Sequence, residues 1–240
     1  MRKLFTTFIV ILFASVLYGQ VRNTYQTGIT ADENLKAISN LSAFSIGGIG
    51  FDTRYKGVIG SPMLFDTLLI SYLKISKQEK YIEVPSNIDL VTNSVICMNP
   101  KTKQLISIPG NKINELIIRN ENNDMIFRTM SNEFLNKKTG EHIFYQVLND
   151  DNYKLIKVPS KDFIEANYKQ AYSPGRGYDE FVTTYKYYII SPDGAINQCQ
   201  LSEKSIIKIF PKKKELIKNI IKEKILTDKE AMVIEILKNF

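Results

Sequence analysis

The sequence predicts an α+β protein in which an antiparallel β-sheet is followed by a C-terminal helical segment. Ten short runs rich in Ile, Val, Tyr and Phe follow one another between Met63 and Gln200, a composition typical of strands. The segments between them carry Asn, Asp and Gly, which suit tight hairpin turns. After residue 200 the apolar side chains recur at helical spacing instead. Because no helical pattern separates the strand-like runs, we expect a meander, with a sandwich or an open barrel as the alternatives.

The first twenty residues have the three-part layout of a secretory signal. Arg2 and Lys3 precede an apolar run over residues 4–17, and Gly19 supplies a small residue at the end. The run is shorter than the roughly 20 residues of a membrane-spanning helix. We therefore predict a signal peptide over residues 1–19, export to the periplasm or beyond, and no transmembrane span after signal removal. The alternative is an uncleaved N-terminal anchor.

The remainder, about 220 residues, fits one domain. We expect residues 20–200 to form a β-rich domain that opens with a short helix in "ADENLKAISNL", with Asp32 near its start. Residues 201–240 are expected to form helices that pack on the sheet. Within this tail Thr227 and Glu230 have the spacing of a capping box, which predicts the start of a last helix.

The positive charge is concentrated in the tail. The chain carries 32 Lys and Arg against 25 Asp and Glu, a formal net charge of +7. Residues 201–240 hold ten Lys against six acidic residues, so the β-rich region of an exported chain is nearly balanced. An exported protein does not meet chromosomal DNA, so we expect no nucleic-acid partner. The expected partner is an envelope component: a protein, a polysaccharide or an anionic surface.

The candidate anion contact in this tail is formed by Lys212, Lys213 and Lys214, which follow Pro211. Proline favours the first turn of a helix, and cations in a first turn oppose the helix dipole. If a helix begins at Pro211, its free amide groups and three ammonium groups would suit an anion. If a helix instead continues from "SIIKIF" through a kink at Pro211, the lysines are a solvated surface.

A candidate recognition loop lies in "SPGRGYDEF". Gly175 and Gly177 flank Arg176, whose guanidinium suits carboxylates and phosphates, and Tyr178 and Asp179 follow directly. Loops often carry function because they tolerate irregular backbone. The alternative is that these residues only tie the loop to the sheet.

The run "YKYYII" places Tyr185 and Tyr187 on one side of a strand, with Lys186 and Tyr188 on the other. An exposed tyrosine row beside lysine could stack on sugar rings or on another apolar ligand. The alternative is structural, because tyrosine is a favoured strand residue.

Two cysteines, Cys97 and Cys199, lie in strand-like runs. An oxidising compartment would let them pair as a disulfide, and two buried free thiols are the equal alternative. Together with the lone His142 they do not complete a metal site. The glycine-rich "SIGGIG" lacks the strand-to-helix unit of a dinucleotide fingerprint. We therefore predict neither a metal nor a cofactor.

Three stretches carry a resemblance: "FDTRYKGVIGSPMLFD", "YSPGRGYDEFVTTYKYYIISPDG" and "LSEKSIIKIFPKKKELIKNIIKE". Their Gly-Ser-Pro block at residues 60–62, paired-tyrosine strand ending in Asp-Gly and lysine-rich closing helix resemble a group of small, uncharacterised exported proteins of Bacteroidota bacteria. The resemblance implies export and the order of strands before helices. It carries no catalytic residue across.

Hydrolysis would need a nucleophile with a base, or a pair of facing carboxylates. Asp179 and Glu180 are adjacent, so on a strand they would point to opposite faces. The sequence therefore favours a non-enzymatic exported cell-envelope protein that binds or scaffolds another component. The alternative is a secreted hydrolase acting on cell-wall or glycan material.

Overall fold

The computed structural model describes residues 29–44, 55, 57–76, 78–120, 123–135, 142–166, 178–223 and 228–240. The predicted signal peptide, most of the glycine-rich passage and Arg176 lie outside these residues. The described chain confirms the predicted fold class, because an antiparallel sheet precedes a group of C-terminal helices.

Ten strands of the described chain form one sheet. They are β1 Leu69–Ile75, β2 Ile82–Asp89, β3 Ser94–Met98, β4 Leu105–Pro109, β5 Ile113–Asn120, β6 Asn123–Ser131, β7 His142–Asn149, β8 Lys154–Ile164, β9 Glu180–Ile190 and β10 Ile196–Cys199.

The strand order is β10-β9-β8-β7-β6-β5-β1-β2-β3-β4, with every neighbouring pair antiparallel. Strands β5 to β10 form a meander, as do strands β1 to β4. The two meanders join because β5 pairs with β1 rather than with β4. The strands therefore form a single open sheet with β10 and β4 at its edges.

The predicted N-terminal helix is present as α1, Ala31–Asn40. Asp32 lies in its first turn, as predicted, and Thr30 is the residue that caps it. The Thr30 hydroxyl accepts a hydrogen bond from the Glu33 amide, and the Glu33 carboxylate accepts one from the Thr30 amide. This reciprocal pair satisfies two amides that a helix start leaves open.

The C-terminal segment contains α2 Glu203–Ile209, a 3-10 turn Pro211–Lys213, α3 Lys214–Glu223 and α4 Lys229–Lys238. The predicted capping box included Thr227, which lies outside the described residues, and the prediction that Glu230 completes the box is wrong. Asp228 caps α4 by accepting hydrogen bonds from the amides of Glu230 and Ala231, and the Glu230 side chain contacts the sheet instead. No helix in the described part of the chain is both long and apolar enough to cross a membrane.

Three apolar clusters form the interior of the described chain, and the smallest consists of Ile156, Val158 and Tyr188 on β8 and β9. The first joins α1 to strands β1 to β7, and the second joins strands β8 to β10 to the C-terminal helices. Burial of such side chains stabilises a fold by about 1.5–3 kcal/mol each. The fully buried members of the second cluster include Leu155, Ile189, Ile206, Ile217 and Val233. The tail is thus packed on one end of the sheet.

Candidate functional site

Strands β8 and β9 are longer than the strands on either side of them, β7 and β10. The part that extends past them is a two-stranded ribbon, defined here as residues 158–164 of β8 and 180–186 of β9. Strand β7 pairs with β8 only as far as Lys157, and β10 pairs with β9 only from Tyr187 onward. Pro159 lies two residues after Lys157, and a proline cannot donate a ladder hydrogen bond. The ribbon therefore leaves the main sheet where Pro159 enters β8.

One edge of the ribbon is fastened to the segment before β1. The Ile59 amide donates to the Asp179 carbonyl at 2.9 Å, and the Phe181 amide donates to the Ile59 carbonyl at 2.9 Å. Gly60 has a φ of +79°, and a methyl group at this position would lie 3.3 Å from the Phe181 carbonyl oxygen. The first position of the Gly-Ser-Pro block is thus one that only glycine can occupy without strain.

Four aromatic residues, here called the aromatic face, lie on one side of the ribbon: Tyr55, Phe163, Phe181 and Tyr185. Phe163 stands directly opposite Phe181 in the β8–β9 register. Tyr55 packs edge-on against Phe181 with ring centroids 4.8 Å apart, and Phe163 lies 5.3 Å from Phe181. Phe181 is buried, whereas Phe163 is 44% exposed and Tyr185 is 48% exposed. Two rings are therefore presented to solvent on an ordered base.

Lysines alternate with these exposed rings. Lys161 lies between Pro159 and Phe163 on the same face of β8. Burial lowers the pKa of Lys161, and the nearby Asp66 carboxylate acts in the opposite direction. At the base of the ribbon, the Lys157 ammonium lies 4.5 Å from the centre of the Tyr185 ring. The face thus combines apolar rings with partly desolvated cations.

Glu230 of α4 fixes the lower end of this row. Its Oε1 atom lies 2.9 Å from Lys157 Nζ and accepts a hydrogen bond of 2.7 Å from the Tyr187 hydroxyl. Burial and then this hydrogen bond raise the pKa of the Tyr187 phenol above its ordinary value. The last helix therefore holds Lys157 in position beneath Tyr185.

The opposite side of the ribbon has polar groups at its middle and the exposed Ile164 at its far end. The hydroxyls of Ser160 and Thr184 lie 2.8 Å apart, and Thr184 donates to Asp162 at 3.3 Å. The four rings are therefore confined to one side of the two-stranded ribbon.

The residues of the predicted recognition loop differ in what the structure shows of them. Arg176 lies outside the described residues, and Tyr178 is exposed beside the ribbon. Asp179 has a tethering role, because its carboxylate accepts a hydrogen bond of 2.7 Å from the Ala166 amide at the other end of the loop. For Asp179, the structural alternative is the one that the contacts favour.

The three predicted anion-contact lysines differ in their surroundings. A helical turn does begin at Pro211, because Phe210 has a non-helical conformation, with φ −120° and ψ 64°, that ends the preceding helix. Lys213 Nζ, however, lies 3.9 Å from the centre of the Phe240 ring and donates to the Phe240 main-chain oxygen at 3.1 Å. Lys213 is thus engaged within the molecule. For the exposed Lys212 and Lys214, anion contact stays a prediction.

The cysteines lie in separate clusters. Cys97 belongs to the first apolar cluster and Cys199 to the second, and both are free and buried. Seven strands separate β3 from β10 in the strand order. The candidate disulfide is therefore absent, and the free-thiol alternative is the one observed. Burial raises the pKa of the Cys97 thiol to about 12 and that of Cys199 to about 11.

Two carboxylates, those of Glu115 and Asp150, share an arginine. Arg128 contacts Glu115 and Asp150, each at 2.8 Å, and Lys154 also reaches Asp150 at 2.8 Å. The hydrogen bonds from Lys154 and Arg128 lower the pKa of Asp150. A carboxyl group that acts as a general acid at neutral pH needs the opposite shift.

Within the described ranges, no three His, Cys, Asp or Glu side chains are grouped so that they could hold a metal ion. Comparison of the chain with protein-family models, with curated proteins and with solved structures found no match.

Sequence reasoning had identified Tyr185 and Tyr187 but not the residues that complete the face. Lys157 lies in a run predicted only as a strand, Phe163 lies beyond the end of that run, and Phe181 ends the predicted recognition loop. Glu230 is 73 residues from Lys157. The available signal was the alternation of Lys157, Pro159, Lys161 and Phe163, which places all four on one side of a strand.

Proposed function

We propose that this protein is a non-enzymatic, exported cell-envelope protein that binds an anionic polysaccharide through the aromatic face of its ribbon. The observation that carries the proposal is the location of exposed apolar surface. Nine large hydrophobic side chains are exposed in the described part of the chain, and five of them lie on the ribbon or beside its far end: Phe163 and Tyr185 on the aromatic face, Ile164 on the opposite face, and Ile59 and Tyr178 at the end away from Lys157. Exposed apolar groups gathered in one place mark a binding surface more often than scattered ones do.

The spacing of the exposed rings suits an extended chain of sugars. Tyr185 stands opposite Pro159, and Phe163 is four residues further along β8. The main-chain positions that carry the two rings are therefore offset by about 13 Å along the ribbon, at about 3.3 Å per residue. The apolar faces of pyranose rings pack on aromatic rings, which also have polar neighbours here to orient a ligand.

Charge favours an anionic sugar polymer over a neutral one. Lys161 lies between the two exposed rings on the same face, and it is the cation that the face offers, because Lys157 beneath Tyr185 is already paired with Glu230. Ammonium groups that are partly desolvated interact more strongly with carboxylates or phosphates than fully solvated ones do. A polymer with both apolar ring faces and anionic substituents satisfies the two features together.

Export is the part of the proposal that rests on the sequence, on Arg2, Lys3 and the apolar run over residues 4–17. It is tested by expressing the full chain in a bacterium and measuring the N-terminal residue of the protein recovered from the periplasm. We expect the protein in that fraction to begin at Gln20. Recovery of the intact chain from the cytoplasm alone would contradict export.

Binding is tested with purified protein and two soluble polymers of similar length, polygalacturonate and neutral dextran. We expect polygalacturonate to bind and dextran to bind more weakly. The affinity for polygalacturonate should fall at least tenfold in the Tyr185→Ala, Phe163→Ala double variant. The matched control is Phe134→Ala, which removes a 65% exposed ring in a 3-10 turn outside the ribbon. Equal binding of the two polymers, or equal loss in the control, would contradict the proposal.

A further inference from the structure

A second surface lies between strand β10 and helix α2. Strand β10 pairs with β9 on the side away from β8. This surface is a groove of about 800 Å³ whose walls are β10 on one side and Lys204, Ser205 and Lys208 of α2 on the other. None of its lining residues belongs to the aromatic face. The groove is therefore separate from the proposed polysaccharide site.

One wall of the groove is the open edge of a strand. Among the described residues β10 pairs with β9 alone and is the first strand of the sheet. In an antiparallel strand, alternate residues direct their main-chain N–H and C=O groups away from the partner. Strand β10 can therefore accept hydrogen bonds from one further strand.

Strand β10 lacks two of the features that usually protect a sheet edge. Its sequence, "INQC", has no proline and no charged residue, although lysine and proline are common edge protectors. The other edge strand, β4, ends in Pro109. Strand β10 is only four residues long and contacts α2, as β4 contacts the 3-10 turn Leu41–Phe44. The composition of β10 is therefore what leaves its edge suited to pairing, within the groove that α2 bounds.

Charge decides what kind of strand fits. Lys204 and Lys208 are both exposed and are four residues apart on α2, so they form a row along the groove. No acidic residue lines the groove. An incoming strand with acidic side chains would meet two ammonium groups, whereas a basic strand would be repelled.

Pairing between two copies of this chain is disfavoured by the same lysines. A two-fold axis beside β10 would place the groove of one copy against the groove of the other. Lys204 and Lys208 of one copy would then face the same residues of the second, and like charges at close range oppose association.

We propose that the β10 edge binds an extended, acidic segment of a partner protein by strand addition, with Lys204 and Lys208 selecting for acidic side chains. Main-chain hydrogen bonds to β10 supply affinity, and the lysine row supplies specificity. The partner segment adds an eleventh strand to the sheet.

The test uses three eight-residue peptides as probes. The first alternates Val and Glu, the second alternates Val and Lys, and the third is the Val/Glu peptide with alternate amides methylated. Affinity is measured by fluorescence anisotropy, and the location of binding by hydrogen exchange of the β10 amides. We expect the Val/Glu peptide to bind and to protect residues 196–199, and the other two to bind at least tenfold more weakly.

Charge reversal provides the matched variants. Lys204→Glu with Lys208→Glu should weaken the Val/Glu peptide at least tenfold and make the Val/Lys peptide the preferred probe. The control, Lys218→Glu with Lys222→Glu, reverses two exposed lysines at the same spacing on α3 and should change affinity less than twofold. Circular dichroism establishes that both pairs of variants remain folded.

Three results would overturn the proposal: equal affinity for the Val/Glu and Val/Lys peptides, protection outside residues 196–199, or equal effects of the two double variants. Concentration-dependent dimers that protect the β10 amides would also overturn it, by assigning the edge to a second copy. Polygalacturonate binding is unaffected by Lys204→Glu and Lys208→Glu if the two surfaces are independent, so failure of one proposal leaves the other intact.

Discussion

Lys157 of β8 and Glu230 of α4 form an ion pair with 2.9 Å between Nζ and Oε1. The side chains are only 20% and 27% exposed, so this pair is less screened by solvent than a surface pair. Tyr187 donates its hydroxyl to the same carboxylate oxygen. The contact therefore joins the C-terminal helices to the base of the ribbon.

Replacing Glu230 with Ala should lower the free energy of unfolding by about 1–3 kcal/mol, because a partly buried ammonium and a phenol both lose their partner. Urea denaturation measures the change. The control is Glu215→Ala, which removes a weaker 3.8 Å pair with Lys218 in which the Glu215 side chain is 80% exposed; a change within about 0.5 kcal/mol is expected there. Similar losses in both variants would contradict a joining role for Glu230.

Replacing Gly60 with Ala should destabilise the protein more than replacing Gly57 with Ala. Both glycines have positive φ, +79° and +90°, which costs a side-chain-bearing residue about 1–2 kcal/mol. Only at Gly60 would the added methyl group press on Phe181; at Gly57 nothing lies within 4 Å. The difference between the two unfolding free energies measures the close approach of the segment to the ribbon. Equal values would show that the approach is not tight.

The thiols should be unreactive in the folded protein and both free after unfolding. Burial raises the pKa of Cys97 and Cys199 to about 12 and about 11, so neither is a thiolate at neutral pH. Titration with a thiol reagent should detect two thiols per chain in denaturant and almost none before it. Detection of no thiol in denaturant without a reductant would reveal a disulfide and contradict the fold.

Replacing Lys213 with Met should lower stability by about 0.5–2 kcal/mol, because the ammonium lies over the Phe240 ring and near Tyr153. The methionine retains much of the stem that covers the rings, so the loss reports chiefly on the charge. Lys212→Met changes an exposed neighbour and should alter stability by less than about 0.5 kcal/mol. Thermal unfolding of both variants provides the comparison.

Local pattern was sufficient for much of the fold. The ten strand-like runs correspond to ten strands, and the helical period after residue 200 corresponds to α2, α3 and α4. These elements were predictable because alternation and helical spacing are properties of short segments. The break at Pro211 was also visible as one of two alternatives, since proline restricts the residue before it.

Contacts between distant segments could not be predicted in the same way. Thr227 and Glu230 have capping-box spacing, but Glu230 pairs with Lys157 across the molecule, and Asp228 caps α4 instead. The join of β5 to β1 likewise depends on which strand edges meet after folding. The aromatic face combines Tyr55 with residues more than 100 positions later, so strand alternation alone could identify only parts of it.

The most direct measurement is light-induced crosslinking in intact cells from a benzoylphenylalanine placed at position 185, compared with the same residue at position 134. Position 185 lies in the aromatic face, and position 134 is an exposed aromatic site in a separate turn. The proposal predicts a polysaccharide-containing adduct in the envelope fraction from position 185 that is absent from position 134. Equal crosslinking from both positions, or none from position 185, would contradict it.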